Sequence, residues 1–333
     1  MTGLVLPGEP GPPLSWQPDL LNGFEQVTLC GVVAADGPAA IVLVRRRARS
    51  PTDVAVLHLH GFVDYFFQTP LADAVADAGL HFYAVDLRRH GRALRPHQRP
   101  NDTVDLDEYL QDVDRALQAL RAHEGVASVV LGGHSTGGLV AALYAHRGRS
   151  RQLLRGVFLN SPFLDMNLPR WQQHTVEPAL AWLGRWAPNW RIPGLTSAYG
   201  QSLHADHHGQ WRYRTDWKPI AGFAVHAGWF RAIHRAHAEV ARGLAIDVPC
   251  LVLHAQRSVR QRRWSLAVMH ADAVLNVTDI ERLAPRLGAR VECHALADAI
   301  HDVMLSDTAP RLQAQALLRD WLRRVAAPGA ATG

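Results

Sequence analysis

Short apolar runs and longer stretches with apolar residues three and four apart take turns along most of this chain. Residues 24–30 and 39–44 read as strands, and Asp36-Gly37-Pro38 between them is a turn signal, so an antiparallel hairpin is predicted. Beyond Ser50-Pro51, the runs 54–59, 81–85, 126–131 and 153–159 read as buried strands, with helical stretches at 71–78 and 136–147. Leu106, Leu110, Val113, Leu117 and Leu120 put one apolar stripe on a further helix. Asp105 and Glu108 have the spacing of a capping box at its start, and Gly125 can close its end. Strands alternating with helices imply an α/β fold whose mostly parallel central sheet is covered by helices on both faces.

The alternation stops over 161–246, which has helical patches, no convincing buried strand and seven of the ten tryptophans. It resumes with a strand at 249–254, a helix at 278–287, a strand at 290–296 and a last helix over 308–325. The chain therefore divides into a first core part over 1–160, a helical Trp-rich lid insertion over 161–246, a second core part over 247–325 and a flexible tail over 326–333. Residues 1–20 read as an extended arm. A lid placed there would cover the edge of the sheet where ligands bind in such folds. Most of its tryptophans are expected in its own core, with two or three facing the pocket.

Composition narrows the function. A hydrophobic share of 48% and a charged share of 20% describe a folded globular protein. The net charge of +5 comes from arginines scattered along the chain, Lys218 being the one lysine, so a nucleic-acid partner is not expected. No apolar run is long enough for a transmembrane segment, and the first residues do not read as a signal peptide. Cys30, Cys250 and Cys293 each sit in a strand-like run, where a thiol is expected to be buried, and have no metal-type spacing. A reducing, cytoplasmic location follows as the expectation, and a homodimer is left open.

The chemistry centres on Gly133-His134-Ser135-Thr136-Gly137, between a buried strand and a helix. A serine on a sharp strand-to-helix turn, with glycines where side chains would collide, is the arrangement of an exposed nucleophile. Its hydroxyl needs a base to take the proton. His301 lies between the last strand and the last helix and is the candidate, ahead of His270 and His294. Asp272 precedes the helix at 278–287 and is the candidate to orient that histidine. Asp279 reads as a helix cap, and Asp298 and Asp302 are too close to His301 in sequence to be preferred. The oxyanion donors expected are the N–H groups of Thr136 and of Phe62, with His60, Gly61 and His134 beside the substrate.

His60-Gly61-Phe62, Asp86-Leu87-Arg88-Arg89-His90-Gly91-Arg92, the Ser135 pentapeptide, Asp272-Ala273-Val274-Leu275 and His301-Asp302 occur in this order. Together they resemble the monoglyceride lipase and lysophospholipase-like branch of the α/β-hydrolases, also grouped as serine aminopeptidase-type hydrolases, over about residues 24–323. The resemblance implies cleavage of carboxylic esters through an acyl-enzyme, no cofactor, and a lid that selects a small-molecule or lipid-like ester. It departs in two places: Ala93 stands where the family has serine, and an arginine-rich loop over 256–270 precedes the acid. An aminopeptidase or amidase is the alternative and needs a lid carboxylate for a free amine, for which Glu177 and Glu239 are available. A non-catalytic binding protein is a third reading. His204, His207 and His208 read as surface histidines, with no metal site.

Overall fold

The computed structural model describes residues 13–34, 36–192, 196–261 and 263–327. The expected arm before residue 13 and the tail beyond 327 lie outside them. In chain order the described elements are β1 (Gln17–Pro18), β2 (Glu25–Ala34), β3 (Gly37–Arg46), β4 (Val54–Leu59), α1 (Thr69–Asp77) and β5 (His81–Asp86). Then come α2 (Asp107–His123), β6 (Ser128–His134), α3 (Thr136–Arg147), β7 (Leu154–Asn160), α4 (Arg170–Trp186), β8 (Arg191–Ile192) and α5 (Ala198–Leu203). The chain ends with β9 (Val225–His226), α6 (Ala227–Arg242), β10 (Cys250–Ala255), α7 (Val277–Leu283), β11 (Val291–Leu296) and α8 (Thr308–Ala326).

The main sheet has nine strands in the order β1-β2-β3-β5-β4-β6-β7-β10-β11. The first pairings are antiparallel, through β3 with β5, and those from β5 onward are parallel. Side chains of a strand point alternately to its two faces. Thus Ala55, Leu57 and Leu59 of β4 join the core that holds α2 and α3, whereas Val54 and Val56 join the one that holds α1 and α8. The expected hairpin, parallel sheet and two helical layers are all present. The segment between β7 and β10 adds α4, α5 and α6 and a two-residue pairing of β8 with β9, and among the described residues no strand to the main sheet.

Several local expectations need correction. Glu108 does not close a capping box; its carboxylate accepts from Arg89 Nη1 and Thr103 Oγ1, both at 2.8 Å, and so is drawn away from the helix start. The helix expected over 278–287 ends at Leu283 and passes into a short 3₁₀ turn at Ala284–Arg286, since Pro285 lacks the N–H that would continue it. Its cap is Asn276, whose side chain accepts from Thr278 N, rather than Asp279. Cys30 and Cys293 are exposed; only Cys250, on an inner strand, is buried. Cys293 lies on β11, the last strand of the sheet.

The tryptophans of the insertion depart furthest from expectation. Trp171, Trp182, Trp186 and Trp190 are 62–67% exposed, and only Trp229 is buried. The inward side of α4 is instead made by Glu177, Ala181 and Gly184. These let α6 come close: a Cβ on Gly184 would overlap the Ala227 carbonyl. At 100° per residue Trp171, Trp182 and Trp186 fall within about 60° of one another, on the side away from α6.

Candidate active site

Strand β6 delivers the central serine and α3 begins on the next residue. Ser135 takes φ 53° and ψ −116°, a left-handed backbone that a residue with a Cβ adopts only when its surroundings enforce it. They do so from both sides. Ser135 N donates to Asn160 O at 3.0 Å, and Ser135 O accepts from Phe163 N at 3.0 Å and Leu139 N at 3.1 Å. A Cβ on Gly133 would overlap the Gly137 carbonyl, and one on Gly137 would overlap the His60 carbonyl. The glycines at these two positions are what allow the turn to be this tight.

Ser135 Oγ lies 3.0 Å from His301 Nε2, and His301 Nδ1 lies 2.8 Å from Asp272 Oδ2. A carboxylate only accepts, so Nδ1–H donates to Asp272 and Nε2 is left to accept from the serine hydroxyl. The other Asp272 oxygen accepts from the N–H groups of Val274 at 2.8 Å and Leu275 at 2.7 Å. The arginine-rich loop holds the same aspartate by its backbone: Asp272 N donates to Arg257 O at 2.9 Å, and Asp272 O accepts from Val259 N at 2.8 Å. All three side chains are buried, Ser135 the least, at 8% exposed.

Thr136 opens α3, so its N–H has no partner within the helix. Phe62 and Thr136 line one small cavity with His60, Gly61, His90, Tyr109 and Trp229. Gly61 packs so closely that a Cβ there would sit 3.3 Å from Ser135 Cβ. His60 offers this cavity only its ring: Nδ1–H donates to Gly61 O at 2.8 Å and Nε2 accepts from Leu87 N at 3.1 Å. His134 faces carboxylates instead, with Nδ1 3.6 Å from Asp64 and 3.9 Å from Asp302. Burial works against a charge on His134, but Asp302 and Asp64 outweigh it and raise its pKa.

The sequence reading missed the groups behind this site. Asn160 Nδ2 donates to Asp302 Oδ1 at 2.7 Å, and Gln68 Nε2 reaches Asp64 at 3.2 Å and Asp302 at 3.3 Å. The Tyr199 ring stands edge-on to His301 at 5.4 Å. Lys218 pairs with Asp64 at 3.0 Å; its being the one lysine was the available signal. In the insertion Glu177 is buried and paired with His234 at 2.8 Å, and Glu239 is paired with Arg147 at 2.9 Å. His204 is buried edge-on to Tyr213 at 4.8 Å rather than on the surface, and no metal-binding group of three is found among the described residues.

Several imidazoles around the sheet end are held neutral by burial. The pKa of His58 is pushed down to about 3 and that of His237 to about 4, and His60 and His90 are lowered as well. A histidine whose folded pKa is lowered binds fewer protons folded than unfolded, so its contribution is full above the unfolded value near 6.5 and is lost as pH falls. Urea unfolding should therefore give a stability lower at pH 5 than at pH 7, with a loss of roughly 4 kcal/mol from His58 and His237 partly offset by Asp112, whose carboxyl burial pushes up to about 6. Equal stability at the two pH values would contradict it.

The family described as serine aminopeptidase, S33, matches residues 50–308 of the chain. No curated protein matches it. Solved structures share the fold. A monoglyceride lipase variant from Saccharomyces cerevisiae is 16% identical with a TM-score of 0.65, over 90% of this chain and 96% of its own. A monoacylglycerol lipase from Paleococcus ferrophilus is 19% identical with a TM-score of 0.65, over 85% and 99%. A thermophilic esterase from Thermogutta terrifontis is 18% identical with a TM-score of 0.58, over 90% and 99%. With an α/β-hydrolase fold and a family match spanning the elbow and both of its partners, the chain belongs to the serine aminopeptidase, S33, family of hydrolases.

Proposed function

We propose that this chain is a serine hydrolase that cleaves carboxylic esters of lipid-like character through an acyl-enzyme. The observation that carries the reading is the continuous link from Ser135 Oγ through His301 to Asp272, at 3.0 and 2.8 Å, on a strained elbow. Ser135 Oγ attacks the ester carbonyl while His301 Nε2 takes its proton. Asp272 holds the imidazole in the required tautomer and stabilises its charge. The N–H groups of Thr136 and Phe62 stabilise the oxyanion, a role worth about 3 kcal/mol per donor. His301 then protonates the departing alcohol and activates the water that releases the acid. The chain's own residues complete this cycle without a cofactor.

An ester is favoured over a peptide amine because the five carboxylates of the insertion are already paired: Glu177 with His234, Glu239 with Arg147, Asp165 with Arg282, Asp206 with Arg212 and Asp216 with Arg214. The lipid-like character rests on α4. Its outward side carries Trp171, Trp182 and Trp186, its exposed charges are Arg170 and Arg185, and its one carboxylate is buried. A tryptophan stripe flanked by arginines suits the interface of an anionic lipid surface. We assign residues 161–246 as a lid whose outer face meets such a surface. Among the described residues no helix is long and apolar enough to cross a membrane.

Turnover of p-nitrophenyl esters of rising acyl length tests the function. The expected result is an optimum at medium or long chains; turnover confined to amino-acid amides would transfer the reading to an amidase. The lid assignment has its own test. Trp182→Ser with Trp186→Ser should weaken binding to phosphatidylglycerol vesicles about tenfold or more, by removing two interfacial anchors. Turnover of a soluble short ester should stay unchanged. Undiminished vesicle binding would refute the docking role of α4.

A further inference from the structure

All but one of the 35 lysine and arginine residues are arginine. The exception, Lys218, belongs to the insertion, yet its side chain reaches the loop after β4 and is only 10% exposed. Its Nζ lies 3.0 Å from Asp64 Oδ1 and donates to the Val63 carbonyl at 3.3 Å. The rings of Phe67 and Tyr213 stand on its other sides, each centroid 5.9 Å from Nζ. Asp64 is gripped further by Gln68 Nε2 at 3.2 Å and faces His134 Nδ1 at 3.6 Å.

What Lys218 holds is a strained turn. Val63 has φ 51°, a left-handed backbone that is unfavourable for a β-branched residue and persists only where neighbours impose it. It directly follows Phe62. A rotation that relaxed Val63 would swing the 62–63 peptide, and the backbone torsions of Phe62 would have to compensate, which turns the 61–62 peptide that carries the Phe62 N–H. The ammonium bonds to the carbonyl of Val63 and to the carboxylate of the next residue, and so fixes both sides of that turn. A compact ammonium suits two oxygens in a narrow aromatic slot better than a planar guanidinium does. That accounts for a lysine here in a chain that otherwise uses arginine.

We propose that Lys218 is a positioning residue, through which the insertion holds the Val63–Asp64 turn so that the Phe62 N–H is aimed at the oxyanion. The inference rests on the serine-hydrolase reading. It ties the oxyanion hole to the lid: wherever the segment around Lys218 moves, the second donor loses its alignment.

Lys218→Met tests it by comparing turnover with the affinity of a trifluoromethyl ketone. In the adduct of that inhibitor Ser135 Oγ bonds to the ketone carbon, His301 takes the proton and the oxyanion occupies the hole. The expected result is a fall in kcat of about 10- to 100-fold, short of the 10²–10³ for deleting a donor outright. KM should stay within about threefold, and ketone affinity should fall in proportion to kcat. Asp64→Asn should move the same two quantities together. The double variant should be no worse than Lys218→Met alone, because the pair acts as a unit. Asp64→Asn serves by itself if Lys218→Met does not fold. Wild-type kcat and ketone affinity in a folded variant that merely melts at a lower temperature would overturn the inference. A change carried by KM alone would overturn it too. Wild-type protein that turns over no ester and forms no ketone adduct would instead overturn the serine-hydrolase reading, and this inference with it.

Discussion

Ser135→Ala should lower kcat for any ester substrate by about a million-fold, and His301→Ala by a similar factor. The double variant should lose little more than either single one. In the proposed mechanism nucleophile and base act in one event: without His301 Nε2 at 3.0 Å nothing removes the hydroxyl proton, and without the hydroxyl the base has nothing to activate. A residual rate over the uncatalysed reaction should survive all three variants, because the Phe62 and Thr136 N–H groups are untouched. Steady-state kinetics on a p-nitrophenyl ester measure this directly. Factors that multiply in the double variant, or a Ser135→Ala enzyme within tenfold of wild type, would contradict the assignment.

Arg88→Met should destabilise the fold by about 3–5 kcal/mol in urea unfolding. Arg88 is almost wholly buried and grips Asp112 on α2 with two of its nitrogens, Nη2 at 2.7 Å and Nε at 3.0 Å, while its backbone N–H donates to the same carboxylate at 3.1 Å. Removing the guanidinium leaves a buried carboxylate without its counter-ion. Arg88→Met combined with Asp112→Leu should recover much of the loss, since an apolar pair of similar volume replaces a buried ion pair at little cost. A single variant as stable as wild type would show that the pair is not what anchors the loop after β5. The neighbouring arginines have matching tasks: Arg89 binds Asp36 and Glu108, and Arg92 binds Asp19 and Asp86. The charged residues of the run from Asp86 to Arg92, which carries much of the family resemblance, thus form a buried ion network, while His90 of the same run lines the cavity beside Phe62 and Thr136.

Much of this was legible in the sequence because local chemistry forces it. Gly133 and Gly137 are required by close backbone approach, and Asp272 and His301 are singled out by their place in the loops after the strands at 249–254 and 290–296. Buried strands declare themselves as short apolar runs, and α2 by the period of its stripe. The groups behind the site do not, because their partners are far apart in sequence. Lys218 lies in the insertion and Asp64 in the first core part, and no local pattern links them. Asp302, set aside for its nearness to His301, belongs to that network through Asn160 and Gln68. The α4 tryptophans mislead for a different reason. An apolar stripe ordinarily faces inward, so periodicity locates it without saying which side is out. Only the close packing of Ala181 and Gly184 against α6 decides that.

The central claim is that Ser135 becomes covalently acylated. Its most direct test is labelling with a fluorophosphonate, read by intact mass and by mapping the modified peptide. One adduct per chain is expected, on Ser135, abolished in Ser135→Ala and strongly slowed in His301→Ala. An adduct on any other residue, or no adduct on folded wild-type protein, would contradict the account.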